Sequence, residues 1–171
     1  MSKTVLSFIF LLISNLCFSQ DSKILIKDEN GIYTYQKVFD ITGKNKEELF
    51  FSIKNWIVKN IKTQSNTNFF DEEKKEIIST NPMFIVASAG VGGAMVEFKM
   101  NIDVKDGKYR LSATDFHFFN ARGIDRNLGD YKGLFAKSVR GKVVEEIDTK
   151  FQNMLASIEA STKGEKQNSD W

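Results

Sequence analysis

Strict alternation of apolar and polar residues marks the middle of the chain. Apolar residues occupy every second position from Val96 to Val104, with charged or amide residues between them. This period of two predicts a strand with one buried face. Asp106-Gly107 follows as a two-residue hairpin turn, which fixes the register of the returning strand. The predicted pairs are Val104 with Tyr109, Ile102 with Leu111 and Met100 with Ala113 on the buried face, and Asp103 with Arg110 on the solvent face.

At the end of the returning strand, the same register would bury polar side chains and expose aromatic ones. Continued past Thr114, it places Asp115 and His117 on the inner face and leaves Phe116 and Phe118 outside. One extra residue in the strand reverses which side chains point inward. We therefore predict a β-bulge near Thr114.

Two further segments have helical periodicity. In the first, Asn45 and Glu48 are spaced as a capping box immediately before an apolar stripe. The second begins near Ser138 and runs for about six turns. The apolar faces consist of Leu49, Ile53, Trp56, Ile57 and Ile61 in the first helix, and of Val139, Val143, Ile147, Phe151, Met154 and Ile158 in the second.

Shorter runs of strand-forming residues fill the remainder of the chain. Pro82 has no amide hydrogen to donate, so we expect it at a bulge or on an edge of the strand that resumes at Met83–Ala87. Residues 120–133 contain three glycines without apolar periodicity and predict a long loop. The other predicted elements are strands at Ile24–Ile26 and Ile32–Ile41 around an Asn30-Gly31 turn, and a hairpin of Asn68–Phe70 with Glu76–Thr80 around the charged turn Asp71–Lys75.

The glycine-rich stretch "SAGVGGAM" suggests a phosphate-binding loop, because Gly90, Gly92 and Gly93 lie close together. Such a loop needs a helix directly after the glycines, since the helix's unpaired amides hold the anion. Here the alternating strand at Val96 follows instead. We interpret the stretch as a connection between two antiparallel strands, with glycine supplying positive φ.

The N-terminus has the pattern of a signal peptide. Lys3 precedes an apolar run at Val5–Ile13, and small residues at Cys17 and Ser19 are spaced for signal peptidase. The run is shorter than the roughly 20 residues that cross a bilayer, and Leu16 is a poor match to the small residue that a lipoprotein signal needs before its cysteine. We predict a signal peptide at residues 1–19, one α+β domain at 20–160 and a disordered polar tail at 161–171.

Cleavage after Ser19 removes one lysine and the single cysteine. The 24 basic and 22 acidic residues of the full chain then become 23 and 22, a net charge of +1. A nearly neutral chain lacks the basic excess that nucleic-acid binding requires. We expect an exported protein, periplasmic or secreted, that has no disulfide, no transmembrane segment and no nucleic-acid partner.

Residues able to carry chemistry are few. His117 is the only histidine, and with Asp115 it forms a possible acid–base pair, although a histidine bonded to a carboxylate at a strand end is the simpler interpretation. No pattern for a metal, a cofactor or a catalytic triad is present, so we expect no enzyme. Six basic residues between 120 and 142 could favour an acidic partner or an anionic lipid surface, although a solvated loop and helix start is the simpler interpretation. They are Arg122, Arg126, Lys132, Lys137, Arg140 and Lys142, and the candidate ligand-binding residues are Asp115, His117, Arg122, Arg126 and Tyr131.

Three stretches carry a family resemblance: "KNKEELFFSIKNW", "FFDEEKKEII" and "IDVKDGKYRLSATDF". They resemble a family of secreted bacterial domains of unknown function with a TBP-like fold. The resemblance implies an α+β fold in the order strand, helix, four strands, helix, with a curved antiparallel sheet packed on a long C-terminal helix. It implies no activity, because none is assigned to the family, and a fold named after a DNA-binding protein does not confer DNA binding.

We expect a non-enzymatic envelope domain that binds a lipid-like amphiphile in a cavity under the helix at Val143–Ile158, or an envelope protein. An interaction module that uses a sheet edge or the basic segment 122–142 is the alternative. A hydrolase that uses Asp115 and His117 is the third hypothesis.

Overall fold

The helices and the longer strands follow one another along the chain in the order that the periodicities predict. The computed structural model describes residues 24–27, 29–61, 68–87, 92–120, 125–128 and 137–164. Its elements are β1 (Ile26–Lys27), β2 (Tyr33–Asp40), α1 (Lys46–Asn60), β3 (Asn68–Asp71), β4 (Glu76–Ala87), β5 (Gly92–Lys105), β6 (Lys108–Asn120), β7 (Asp125–Asn127) and α2 (Lys137–Lys163).

All strand pairs of the described residues are antiparallel and form one seven-stranded sheet. The order is β1-β2-β6-β5-β4-β3, and β7 pairs with β6 beyond the end of β2. Both helices pack against one face of the sheet and against each other. The predicted α+β architecture with a long C-terminal helix is thus confirmed.

The β5–β6 hairpin has the predicted register. All three buried pairs are present, and Gly107 adopts the positive φ of +69° that its turn requires. On the solvent face, Arg110 Nη2 donates to Asp103 Oδ2 over 2.6 Å. Alternation and the two-residue turn together therefore suffice to predict this register.

The predicted bulge is also present. Lys99 lies opposite Thr114 and Glu97 opposite His117, so Asp115 and Phe116 together face the single residue Phe98. Asp115 takes the strain of the extra residue with φ +54°. Phe116 and Phe118 become fully buried, and the register without a bulge, with Asp115 and His117 inside, is wrong.

The capping box of α1 is confirmed. Asn45 Oδ1 accepts the Glu48 amide hydrogen over 2.9 Å, and Glu48 Oε2 accepts that of Asn45 over 3.0 Å. These reciprocal bonds satisfy two amides that a helix start leaves unpaired. The predicted apolar stripe, from Leu49 to Ile57, is buried.

Pro82 lies on the edge of β4 that faces away from β5, which is one of the two predicted positions. The strand is nevertheless continuous through Pro82, whereas we expected it to resume at Met83. Among the described strands, β3 covers β4 only as far as Ser79, and Pro82 pairs with Glu97 of β5. The Val86 amide, four residues on, donates outside the sheet to Glu146 of α2. Alternate residues of a strand point their amides to the same edge, so the missing hydrogen of Pro82 costs no ladder bond.

The glycine stretch connects β4 and β5, which pair as far as Ala87 opposite Gly92. Residues 88–91 lie outside the described residues. Gly93 lies within β5 and does not have the positive φ we expected of these glycines. A Cβ there would lie 2.5 Å from Cζ of Phe84, so this glycine makes room for an aromatic ring on the neighbouring strand.

The C-terminal half differs from the prediction in two places. Asp125–Asn127 forms β7 inside the predicted loop 120–133. Helix α2 continues to Lys163, three residues into the predicted tail 161–171, because Thr162 is fully buried. Gly164 then adopts φ +77°, which is typical of a residue that ends a helix.

An aromatic cluster joins α2 to the sheet. The Phe151 ring meets Tyr35 of β2, Phe98 of β5 and Phe116 of β6 edge-on, at centroid distances of 5.1, 5.3 and 5.9 Å. The bulge is what brings Phe116 into this cluster. The predicted face of α2 is buried from Val143 to Ile158, whereas the side chain of Val139 and the predicted signal peptide lie outside the described residues.

Candidate ligand-binding groove

A groove of about 530 Å³ opens between the second half of α1, the edge of β4 and the middle of α2. It lies beside the aromatic cluster and extends over the open edge of β4, where the outward-facing Phe84 also lines it. Its lining residues are Trp56, Asn60, Ile61, Asn81, Pro82, Met83, Phe84, Phe98, Lys150, Asn153 and Met154.

The floor of the groove is apolar and packed on the core. Phe98 and Met154 are buried members of the core, and Met83 packs against it while half-buried. Trp56 Nε1 donates to Ser157 Oγ of α2 over 2.9 Å, which fixes the indole ring and ties the two helices together. A ligand in the groove therefore meets preformed apolar walls.

Two polar side chains interrupt the buried stripe of β4 at the groove. Ser79 and Asn81 occupy the inward-facing positions between Ile77 and Met83, and both are buried. Ser79 Oγ donates to Asn68 Oδ1 over 2.5 Å, and Asn81 Nδ2 donates to the Ser79 carbonyl over 3.1 Å. These bonds offset the cost of burying polar groups and place an amide at the bottom of the groove.

The rim carries Lys150, the one charged side chain among the described lining residues. Lys150 Nζ lies 4.0 Å from Glu146 Oε1, at the outer limit of an ion pair. That same oxygen accepts the Val86 amide hydrogen over 2.7 Å. Two further amides line the rim, those of Asn153 and Asn60, and Asn60 Nδ2 donates to the Trp56 carbonyl over 2.8 Å.

The candidate pair Asp115 and His117 lies on the other face of the sheet. The Asp115 side chain is 64% exposed and accepts from Lys99 Nζ over 3.3 Å. His117 is half-buried, with its ring 5.0 Å from that of Phe119 and its backbone opposite Asn127. Neither residue lines the groove, and the bulge is the reason that both face away from the helices.

For the other predicted ligand-binding residues, the structure describes little. Arg122 and Tyr131 are outside the described residues. Arg126 pairs through its backbone with Phe118, but its side chain is not described. Of the predicted basic segment, the structure describes the Lys142 side chain, which is exposed on α2.

Two buried tyrosines lie next to the C-terminal half of α2 rather than in the groove. Burial, and secondarily the charge of Glu159, raises the pKa of Tyr35 to about 12. The same two causes raise the pKa of Tyr109 well above its ordinary range. Both hydroxyls are neutral at physiological pH, and both side chains are part of the hydrophobic core.

Residues 35–119 match the sequence model of a family described as a domain of unknown function (DUF4468) with TBP-like fold. The chain belongs to the DUF4468 family. This membership agrees with the predicted resemblance and with the sheet order. The matched segment contains β4, β5 and most of the groove floor, whereas the α2 wall with Lys150 and Met154 lies beyond it.

Two solved structures share the fold of this DUF4468 protein. A TBP-like protein from Parabacteroides distasonis ATCC 8503 aligns with a TM-score of 0.67 at 16% identity, covering 81% of this chain and 97% of that one. A DUF4468 family protein from Bacteroides ovatus ATCC 8483 aligns with a TM-score of 0.66 at 13% identity, covering 88% and 98%. No functionally curated protein matches the chain. At such identities the likeness concerns the fold alone.

Within the described ranges, the DUF4468 domain has no group of three or more His, Cys, Asp or Glu side chains arranged to hold a metal ion. No helix among the described residues is long and apolar enough to cross a membrane. The groove thus stands out by shape and polarity rather than by catalytic residues.

Sequence reasoning missed every lining side chain of the groove as a site residue. The available signal was Ser79 and Asn81, two polar residues in the inward phase of a strand whose other inward residues are apolar. Polar residues in a buried phase mark either a satisfied core network or a site. Here both belong to a satisfied network, and Asn81 also lines the groove.

Proposed function

We propose that this DUF4468 domain is an exported, non-enzymatic domain that binds a small amphiphilic ligand in the groove. One observation carries the proposal: a cavity of about 530 Å³ joins an apolar floor to a polar rim. This volume lies within the roughly 300–1,000 Å³ of small-molecule sites, which are mostly apolar with a few placed polar groups.

The arrangement favours an amphiphile over a fully polar ligand. Trp56, Met83, Phe98 and Met154 offer apolar surface to a chain or ring, whereas the hydrogen-bonding groups are concentrated at Asn81 and the rim. A polar metabolite would lose its water at the floor without gaining hydrogen bonds there. A molecule with an apolar body and one polar end satisfies both parts.

Export rests on the signal-peptide pattern of residues 1–19. The prediction is testable on protein recovered from its own cells: the intact mass should correspond to a chain that begins at Gln20. A mass that includes residues 1–19 in the mature pool would refute cleavage at this site.

The groove is tested by filling it. Met83→Trp introduces a larger side chain into the groove, and Met95→Trp makes the same exchange on the opposite face of the sheet, where Met95 is 38% exposed. We expect Met83→Trp to weaken binding of the apolar fluorescent probe N-phenyl-1-naphthylamine at least about tenfold, with Met95→Trp unchanged. Urea unfolding of both variants checks that they fold. Equal probe binding by a folded Met83→Trp variant would refute the groove as the site.

A protein-interaction module is the second candidate, and exposed apolar residues on the outer face favour it. Phe84, Val86 and Met95 are 55%, 60% and 38% exposed, and Phe84 lies directly opposite Met95. The sheet edges favour it less: β1 and β3 have two and four residues, and the open edge of β4 lacks one donor at Pro82 and uses another on Glu146.

Native mass spectrometry of protein from its own cell envelope separates the two candidates. A small lipid-like adduct that Met83→Trp removes would support the groove. A stoichiometric protein that Val86→Ser removes would support the interaction module, because Val86 lies outside the groove.

A further inference from the structure

We infer that the groove selects anionic amphiphiles, with the carboxylate or other acidic group of the ligand bound at Lys150. The inference rests on the proposed function and adds the charge of the ligand to it. Its basis is the charge of the lining: among the lining residues that the structure describes, Lys150 is cationic and none is acidic.

The Lys150 ammonium keeps donor capacity for a ligand. Its nearest acidic partner, Glu146, lies 4.0 Å away, too far for a strong hydrogen bond. The same Glu146 oxygen accepts the shorter bond from Val86, which draws it toward the edge of β4. A ligand carboxylate can therefore form a charge-assisted bond with Lys150 that is shorter and stronger than the existing ion pair.

Helical spacing on α2 sets the orientation of the ligand. Lys150, Asn153 and Met154 stand at i, i+3 and i+4 on one face of the helix. Met154 is buried at the floor, whereas Lys150 and Asn153 are solvent-accessible at the rim. The acidic group thus lies at the rim, with the apolar chain directed toward Phe98 and Met83.

Glu146 reduces the affinity that Lys150 adds for an anionic ligand, because the charge of Glu146 partly offsets that of Lys150. A cationic head group would meet the Lys150 ammonium, and the described lining offers it no acidic side chain. The groove therefore ranks anionic amphiphiles first, neutral ones second and cationic ones last.

Three probes with the same chain and different head charges test this ranking: decanoate, decanol and decyltrimethylammonium. Each is titrated at neutral pH against N-phenyl-1-naphthylamine bound to the chain that begins at Gln20. The two ionic probes are kept below their micelle concentrations and decanol below its solubility limit. We expect decanoate to bind about tenfold more tightly than decanol, which corresponds to about 1.4 kcal/mol. Added salt should weaken decanoate binding and leave decanol binding unchanged.

Variants assign the preference to Lys150. Lys150→Gln should remove the advantage of decanoate and preserve decanol binding, whereas Lys150→Arg should retain it. Lys142→Gln is the matched control, because Lys142 is an exposed lysine of the same helix outside the groove.

The possible outcomes separate the two proposals. Equal affinity for decanoate and decanol, or an equal loss of both in Lys150→Gln, would overturn the charge preference while the amphiphile site stands. If none of the three probes displaces the dye, and Met83→Trp leaves dye binding unchanged, the proposed function itself falls.

Discussion

The buried carboxylate of Asp148 fastens the first described residues of the chain to α2. Its Oδ1 accepts the amide hydrogens of Ile24 and Leu25 over 2.9 and 3.0 Å, and its Oδ2 accepts from Gln152 Nε2 over 2.8 Å. Asp148 is 5% exposed and Leu25 is 6% exposed. The perturbation we consider is Asp148→Ala, which deletes the acceptor and leaves both backbone donors in place.

The expected loss follows from these contacts. A hydrogen bond to a charged group contributes about 1.5–3 kcal/mol, and a buried donor left without a partner costs about 1–3 kcal/mol. Because the Leu25 amide is buried and the Ile24 amide is only partly so, we expect Asp148→Ala to lower the free energy of unfolding by about 3 kcal/mol. Asp148→Asn retains a carbonyl acceptor and loses the charge, so we expect it to lower the free energy of unfolding by about 1 kcal/mol.

Urea unfolding of the chain that begins at Gln20, followed by tryptophan fluorescence, measures both changes. In a domain of this size, about 3 kcal/mol corresponds to a fall in Tm of about 6–12 °C. The same substitution in a chain that begins at Ile26, which lacks both donors, completes a double-mutant cycle. There Asp148→Ala should cost about 1 kcal/mol or less.

Equal losses in the long and the short chain would refute the reasoning, because they would show that the cost of Asp148→Ala does not come from its bonds to residues 24 and 25. An Asp148→Asn variant as unstable as Asp148→Ala would refute the assignment of the acceptor oxygen.

Phe151→Ala should lower the free energy of unfolding by about 4 kcal/mol, since it empties the centre of the aromatic cluster; a loss below about 2 kcal/mol in urea unfolding would contradict that packing. Burial and the charge of Glu159 raise the pKa of Tyr35 from 10.0 to about 12. The contribution of Tyr35 to the free energy of unfolding should therefore be fully present below pH 10 and be lost as the pH rises toward 12. Tyr35→Phe should remove up to about 1.4 kcal/mol per pH unit of that loss, and an unchanged slope in alkaline urea titrations would contradict it. Gly93→Ala should cost about 1 kcal/mol or less, because the exposed Phe84 ring can turn away, and should be neutral in a Phe84→Ala background; a larger cost in both backgrounds would point to the backbone of Gly93 itself.

Local periodicity predicted the elements that depend on near neighbours. The β5–β6 hairpin follows from alternation and a two-residue turn, and the α1 cap follows from two residues three apart. The bulge at Asp115 was also predictable, because a continued register would have buried a carboxylate and exposed two phenylalanines. In each case the physical constraint lies within one hairpin or one helical turn.

The groove was not predictable in this way. Trp56, Asn81 and Lys150 come from three elements that are far apart in the sequence, and only the packing of α1 and α2 on β4 brings them together. Taken singly, each has an ordinary role: a core aromatic, an amide within a strand and a lysine on the surface of a helix. Their meaning as a site exists only in the assembled fold.

The length of α2 and the position of β7 show the same division. Residues 161–163 are polar enough to be taken for a tail, yet Thr162 is buried because the helix still lies against the rest of the domain there. β7 has no periodicity of its own and is a strand because β6 extends beyond β2 and leaves its edge to be paired. The sequence by itself thus determined the period, register and caps of single elements, which depend on neighbours a few residues away. The tertiary structure alone decided which faces meet, and so where the groove lies, because that depends on contacts between segments up to a hundred residues apart.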